Sequence, residues 1–238
     1  MGGWYSFAGN GPVSGRDPSG LQKEGVILYN ASGAEYGLPK KVEGLNQQIK
    51  ENKSGGPIEY KSQIPPKPED FAKEIKGKKV VIFLAHGNPE EGIKTDNDWH
   101  FPGTDVRLTA EDVEAALKLL KDEEKPEAVL IVGCKQWDPS GGKSVGKSFK
   151  AGGIPLVVAS SEQVNLERAN TPGKSDNAGV GVDYVRQALD QLASGDAPET
   201  AASVAAEAAR QTLQSYSDIK GRGVPEPLPD PDAQDGNR

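Results

Sequence analysis

The chain has 238 residues, a formal net charge of −7 and a single cysteine, Cys134. One cysteine excludes an intramolecular disulfide and fits a reducing compartment, and the chain contains no run of about 18 apolar residues that could span a bilayer. The acidic balance argues against phosphate neutralisation by clustered Lys and Arg, so nucleic acid is not an expected partner.

The first 21 residues are turn-dense, with Trp4, Tyr5 and Phe7, then Asn10-Gly11-Pro12-Val13 and Asp17-Pro18-Ser19-Gly20-Leu21, and carry no helical period. Residues 26–30 form a short apolar run bounded by Gly25 and Gly33, which reads as a buried strand. Apolar residues at 38, 42, 45 and 49 predict a helix over 38–52. Residues 58–62 read as a weak strand, and 68–76 as a helix with Pro68 in its first turn. Val80-Val81-Ile82-Phe83-Leu84-Ala85 is the strongest strand pattern in the chain. Thr109, with Asp112 three residues on, is an N-cap signal for a helix reaching Lys121. Residues 128–132 and 154–159 are two further apolar strands, and helices follow over 180–193 and 199–216. Runs apolar on both faces and separated by helices predict a mostly parallel sheet covered on both sides. The implied organisation is an N-terminal segment over 1–21, an α/β domain over 22–196, a C-terminal helix over 197–220 and a disordered proline-rich tail over 221–238.

Ligands of an open parallel sheet bind beyond the carboxyl ends of its strands. Strand 80–85 runs into His86-Gly87, and strand 128–132 runs into Gly133-Cys134. If the two strands are neighbours, imidazole and thiol emerge on one edge. A histidine beside a cysteine activates the thiol and supplies the proton that a leaving amine needs. The backbone amides of Gly87 and Cys134 are then candidates for an oxyanion site. Trp99, Trp137, Asp138, Ser160, Ser161 and Glu162 fall in loops or strand ends expected at the same edge and are candidate cleft residues. Asp138 and Glu162 there would favour a basic residue before the scissile bond. His100 with Asp96 and Asp98 is poor evidence for a metal ligand set, so neither metal nor cofactor is expected. Gly141–Ser148 matches the phosphate-loop pattern G-x-x-x-x-G-K-[ST], but Cys134 to Ser140 separate it from the preceding strand, whereas the phosphate loop leaves its strand directly. A nucleotide-binding domain is therefore a secondary alternative.

Two resemblances sharpen these expectations. Residues 4–21 resemble the closing segment of the Rhs-repeat core, and Asp17-Pro18-Ser19-Gly20-Leu21 is the most specific part. That resemblance implies cleavage between Leu21 and Gln22 within a larger precursor whose shell encloses a C-terminal toxin. Residues 80–161 resemble the caspase-like fold of clan CD cysteine peptidases, particularly the CHAT branch. The resemblance is carried by the apolar block with His86-Gly87, Leu108-Thr109-Ala110-Glu111-Asp112, the block with Gly133-Cys134, and Ala151-Gly152 before a strand ending in Ala159-Ser160. His precedes Cys by about 50 positions, the caspase-type order. The implied fold is a three-layer sandwich, with His86 as general acid and base and Cys134 as nucleophile. Lys135-Gln136-Trp137-Asp138 departs from the usual Arg-Thr-Gly, and Ser160-Ser161-Glu162-Gln163 lacks the usual Leu-Trp. Together the resemblances imply a toxic effector peptidase without a signal peptide, exported by a specialised secretion system. Its expected partners are a protein substrate in the target-cell cytoplasm, a cognate immunity protein and its own shell. A peptidase that cuts its own chain, or a binding module on an inactive peptidase fold, are the alternatives.

Overall fold

Alternation along each strand decides the layering, because successive side chains of a β-strand point to opposite faces. In the computed structural model, which describes residues 23–32, 35–53, 55–88, 92–94, 107–137, 142–164, 179–214 and 223–228, the strands are β1 (Val26–Ala31), β2 (Ile58–Lys61), β3 (Val80–Ala85), β7 (Ala128–Val132), β8 (Leu156–Ala159) and β9 (Glu226–Pro227), in the order β2-β1-β3-β7-β8-β9. The first five run parallel, and β9 is antiparallel to β8. One face of the sheet (Leu28, Val80, Ile82, Leu84, Leu130, Val158) packs on α1 (Leu38–Asn52), α5 (Val180–Ala193) and α6 (Pro198–Gln214). The other face (Ile27, Tyr29, Val81, Phe83, Val129, Ile131, Val157) packs on α2 (Pro68–Ile75), α3 (Ala110–Lys118) and α4 (Val145–Ala151). The molecule is thus a mixed α/β sandwich of three layers around a mostly parallel sheet.

Residue choice fits each layer. On the α2–α4 side, Phe83 stacks on Tyr29 at 5.4 Å between centroids and also meets Phe71 and Phe149. Tyr29 keeps its hydroxyl satisfied by donating to Glu74 at 2.8 Å, and burial with that carboxylate pushes the phenol far above its ordinary range. On the other side, buried Ala201, Ala202, Ala205, Ala206 and Ala209 give α6 a flat face that lies close on α5. Lys41 pairs with Asp190 at 2.7 Å and Arg186 donates to the Tyr36 carbonyl at 2.7 Å, tying α1 to α5.

Three features differ from the pattern-based expectation. A second, three-stranded antiparallel sheet of β4 (Gly87–Asn88), β5 (Gly92–Lys94) and β6 (Arg107–Leu108) follows His86 directly. The helix opened by Thr109 ends at Lys118 rather than Lys121, and a 3₁₀ turn takes over at Asp122–Glu124. Within the segment expected to be a disordered tail, residues 223–228 are ordered. The Leu228 amide donates to the Val157 carbonyl at 2.8 Å and its side chain is buried, so the tail supplies the sixth strand.

Candidate active site

The register of β3 and β7 builds the site. Their last paired residues are Leu84 and Val132, and His86 and Cys134 lie two residues beyond on each strand. Parallel neighbours are about 4.8 Å apart, so imidazole and thiol leave the sheet at adjacent positions of one edge. The next strands continue the row. Ala31 of β1 pairs with Ala85, which brings Ser32 beside the His86 end. On the far side, β8 carries Ser160 to the Cys134 end, where the Lys135 amide donates to the Glu162 carbonyl at 2.9 Å and the Trp137 amide to the Ser160 carbonyl at 3.1 Å.

Close backbone approach explains the glycines. A Cβ at Gly133 would stand 2.8 Å from the Ala85 carbonyl oxygen, and one at Gly87 would stand 3.2 Å from the Cys134 carbonyl oxygen and 2.9 Å from Cδ of Gln136. The approaches under 3.0 Å are closer than real Cβ atoms come and the one at 3.2 Å is tight, so Gly87 and Gly133 let the His86 and Cys134 segments touch. Cys134 is half-buried and its thiol donates weakly to the Val164 carbonyl at 3.5 Å. Lys135, immediately after it, holds a left-handed conformation at φ 51°, which costs a residue with a side chain about 1 kcal/mol.

Of the candidate cleft residues, Ser160 is buried, with its hydroxyl accepting from the Glu162 amide at 3.1 Å, while Ser161 and Glu162 are exposed. Trp137 is half-buried against the α2–α4 core, and the Lys147 ammonium sits 5.2 Å above its ring. Trp99, His100 and Asp138 lie outside the described residues, as do Leu21 and Gln22 with the whole of 1–21. Among the described residues no cluster of three or more His, Cys, Asp and Glu could hold a metal ion, and no helix is long and apolar enough to cross a membrane.

The loop with the phosphate-binding spelling is committed elsewhere. Ser144, not a ligand, caps α4 by accepting from the Lys147 amide at 3.4 Å, and the Ser148 hydroxyl turns to Glu114 at 3.3 Å. The Lys147 ammonium donates to the Gly142 carbonyl at 2.9 Å. Lys143 pairs with Glu111 at 3.0 Å, and that contact holds the Glu111 carboxyl below, and the Lys143 ammonium above, their ordinary ranges.

Comparison with solved structures decides the architecture. The Arg-specific cysteine proteinase gingipain R superposes with a TM-score of 0.52 at 13% identity, covering 83% of this chain and 43% of that one. The fold is caspase-like. A secreted C11 cysteine protease from Bacteroides thetaiotaomicron, solved with an irreversible peptide inhibitor, aligns with a TM-score of 0.47 at 10% identity over 83% of this chain and 62% of that one. The chain therefore spans less than two thirds of either protein. No protein-family model and no curated sequence matches it.

Pattern reasoning did not single out two parts of this caspase-like edge. Gln136 is fully buried beside Cys134, and its Nε2 donates to the Cys134 carbonyl at 2.9 Å. Asn30 and Ser32 are buried polar residues at the end of β1, with Ser32 Oγ donating to Asn30 Oδ1 at 2.6 Å and Asn30 Nδ2 donating to the Tyr60 hydroxyl at 3.0 Å. The available signal was a polar residue closing an otherwise apolar strand.

Proposed function

We propose that this chain is a cysteine endopeptidase with Cys134 as nucleophile and His86 as its acid–base partner. The observation that carries the reading is the β3–β7 register, which puts the only cysteine and a histidine at adjacent strand ends of a caspase-like sheet. In the proposed reaction His86 takes the Cys134 proton and the thiolate attacks a peptide carbonyl carbon. The protonated imidazole then gives that proton to the leaving amine as the C–N bond breaks, leaving a thioester. Water, deprotonated by His86, releases the acid and restores the thiol. The amides of Gly87 and Cys134 are the proposed donors to the oxyanion.

The exposed Glu162, joined through its carbonyl to the residue after Cys134, supports a preference for a basic residue before the scissile bond. The Asp17–Leu21 motif supports the wider role. In it, the peptidase is the toxic domain of an Rhs-type precursor, released by cleavage between Leu21 and Gln22, delivered by a specialised secretion system and neutralised by an immunity protein. The test is hydrolysis of fluorogenic peptides ending in Arg or Lys by the purified chain. Activity present in the wild type and lost in Cys134→Ala supports the reading; equal activity in both overturns it.

A further inference from the structure

We propose that Gln136 is the positioning residue of the nucleophile turn, holding Cys134 against the His86–Gly87 strand by gripping the Cys134 carbonyl; this rests on the peptidase reading above. Four observations converge on it. The side chain is fully buried, although glutamine is mostly an exposed residue type. Nε2 donates to the Cys134 carbonyl at 2.9 Å, which closes the turn across the left-handed Lys135. The Gln136 carbonyl in turn accepts from the Gly146 amide at 3.1 Å, anchoring the residue to the start of α4. Finally, the amide stands where a Cβ at Gly87 would fall, 2.9 Å from Gln136 Cδ, so one side chain touches both halves of the proposed dyad segment.

The unpartnered atom points the same way. Gln136 Oε1 is buried with no hydrogen-bond partner among the described residues. Leaving such a group unsatisfied costs more than replacing the residue by an apolar one of the same shape. A residue kept only for packing would therefore be served better by methionine. The glutamine holds a position that packing alone does not favour, which is the pattern of a site that gives up stability for geometry.

The test reads the thiol without any substrate. Cys134 is alkylated with iodoacetamide at pH 7 in the wild type and in Gln136→Met, with thermal melting and peptide hydrolysis measured alongside. The expected result is a folded variant in which alkylation is slowed about tenfold, the size of coupling expected between contacting groups. Peptide hydrolysis should lose kcat with KM held. Alkylation at the wild-type rate in a folded Gln136→Met overturns the proposal. A wild type that alkylates in a Gln136-dependent way yet cleaves no peptide overturns the peptidase reading and leaves the positioning role standing. Should Gln136→Met fail to fold, the pair Gly87→Ala and Gly87→Ala/Gln136→Ala decides. The single variant drives a methyl into the Gln136 amide, and the double variant removes that clash. Recovery of melting without recovery of alkylation supports positioning; recovery of both shows that Gln136 only fills space.

Discussion

At the residue scale, the site is a set of close approaches that leave little room for substitution. Cys134→Ala removes one half-buried sulfur, so its stability should stay within about 1–2 kcal/mol of wild type while peptide hydrolysis is abolished. Denaturant melts alongside kinetics check both halves. His86→Ala should lower kcat by about 10²–10⁴-fold, the usual contribution of a general acid–base group, and steady-state kinetics measures it. Glu162 is exposed, so Glu162→Gln should leave the melting temperature unchanged. The same variant should raise KM for peptides with Arg or Lys before the scissile bond and leave neutral peptides unaffected.

At the element scale, the capping box of α3 gives a clean prediction. The Thr109 hydroxyl accepts from the Asp112 amide at 3.2 Å while Asp112 accepts from the Thr109 amide at 2.9 Å. Thr109→Ala should cost about 1 kcal/mol, read by urea denaturation. The same box was legible in the sequence, as were the five parallel strands, because apolar runs and a cap signal act locally. The adjacency of His86 and Cys134 needed one step more, the inference that strands 80–85 and 128–132 are neighbours. What stayed hidden depends on tertiary contact. Strand β9 is a Glu-Pro pair with no strand pattern of its own, and it orders because Leu228 finds a buried seat against Val157 and Gly146. The small sheet has strands of two or three residues, too short for alternation to register. Gln136 reads as an ordinary polar loop residue until the Gly87 strand is laid across it.

At the scale of the whole molecule, the two helical layers make unequal demands on the core. Phe83 is fully buried and in contact with three other aromatic rings, so Phe83→Ala should cost about 3–5 kcal/mol. That is a large share of the roughly 5–15 kcal/mol a domain has, and it should appear as a much lower denaturation midpoint. Three carboxylates are held below their ordinary range by lysine partners: Glu111 by Lys143, Asp122 by Lys125 and Glu124 by Lys76. Because folding lowers these pKa values, their stabilisation is full above the ordinary values of 4.5 for Glu and 3.8 for Asp. It is lost as pH falls further through the folded values. Glu111 and Asp122 are exposed, so high salt should weaken their share of this acid limb. Melting temperatures between pH 3 and 6, at low and high salt, test it.

The measurement that tests the central claim most directly is a map of new protein N-termini in bacteria producing the wild type or Cys134→Ala, with growth followed in parallel. A cysteine peptidase effector predicts growth arrest and a set of new termini in the wild type alone, with a basic residue shared before the cuts. The same termini and the same arrest from Cys134→Ala would contradict the account.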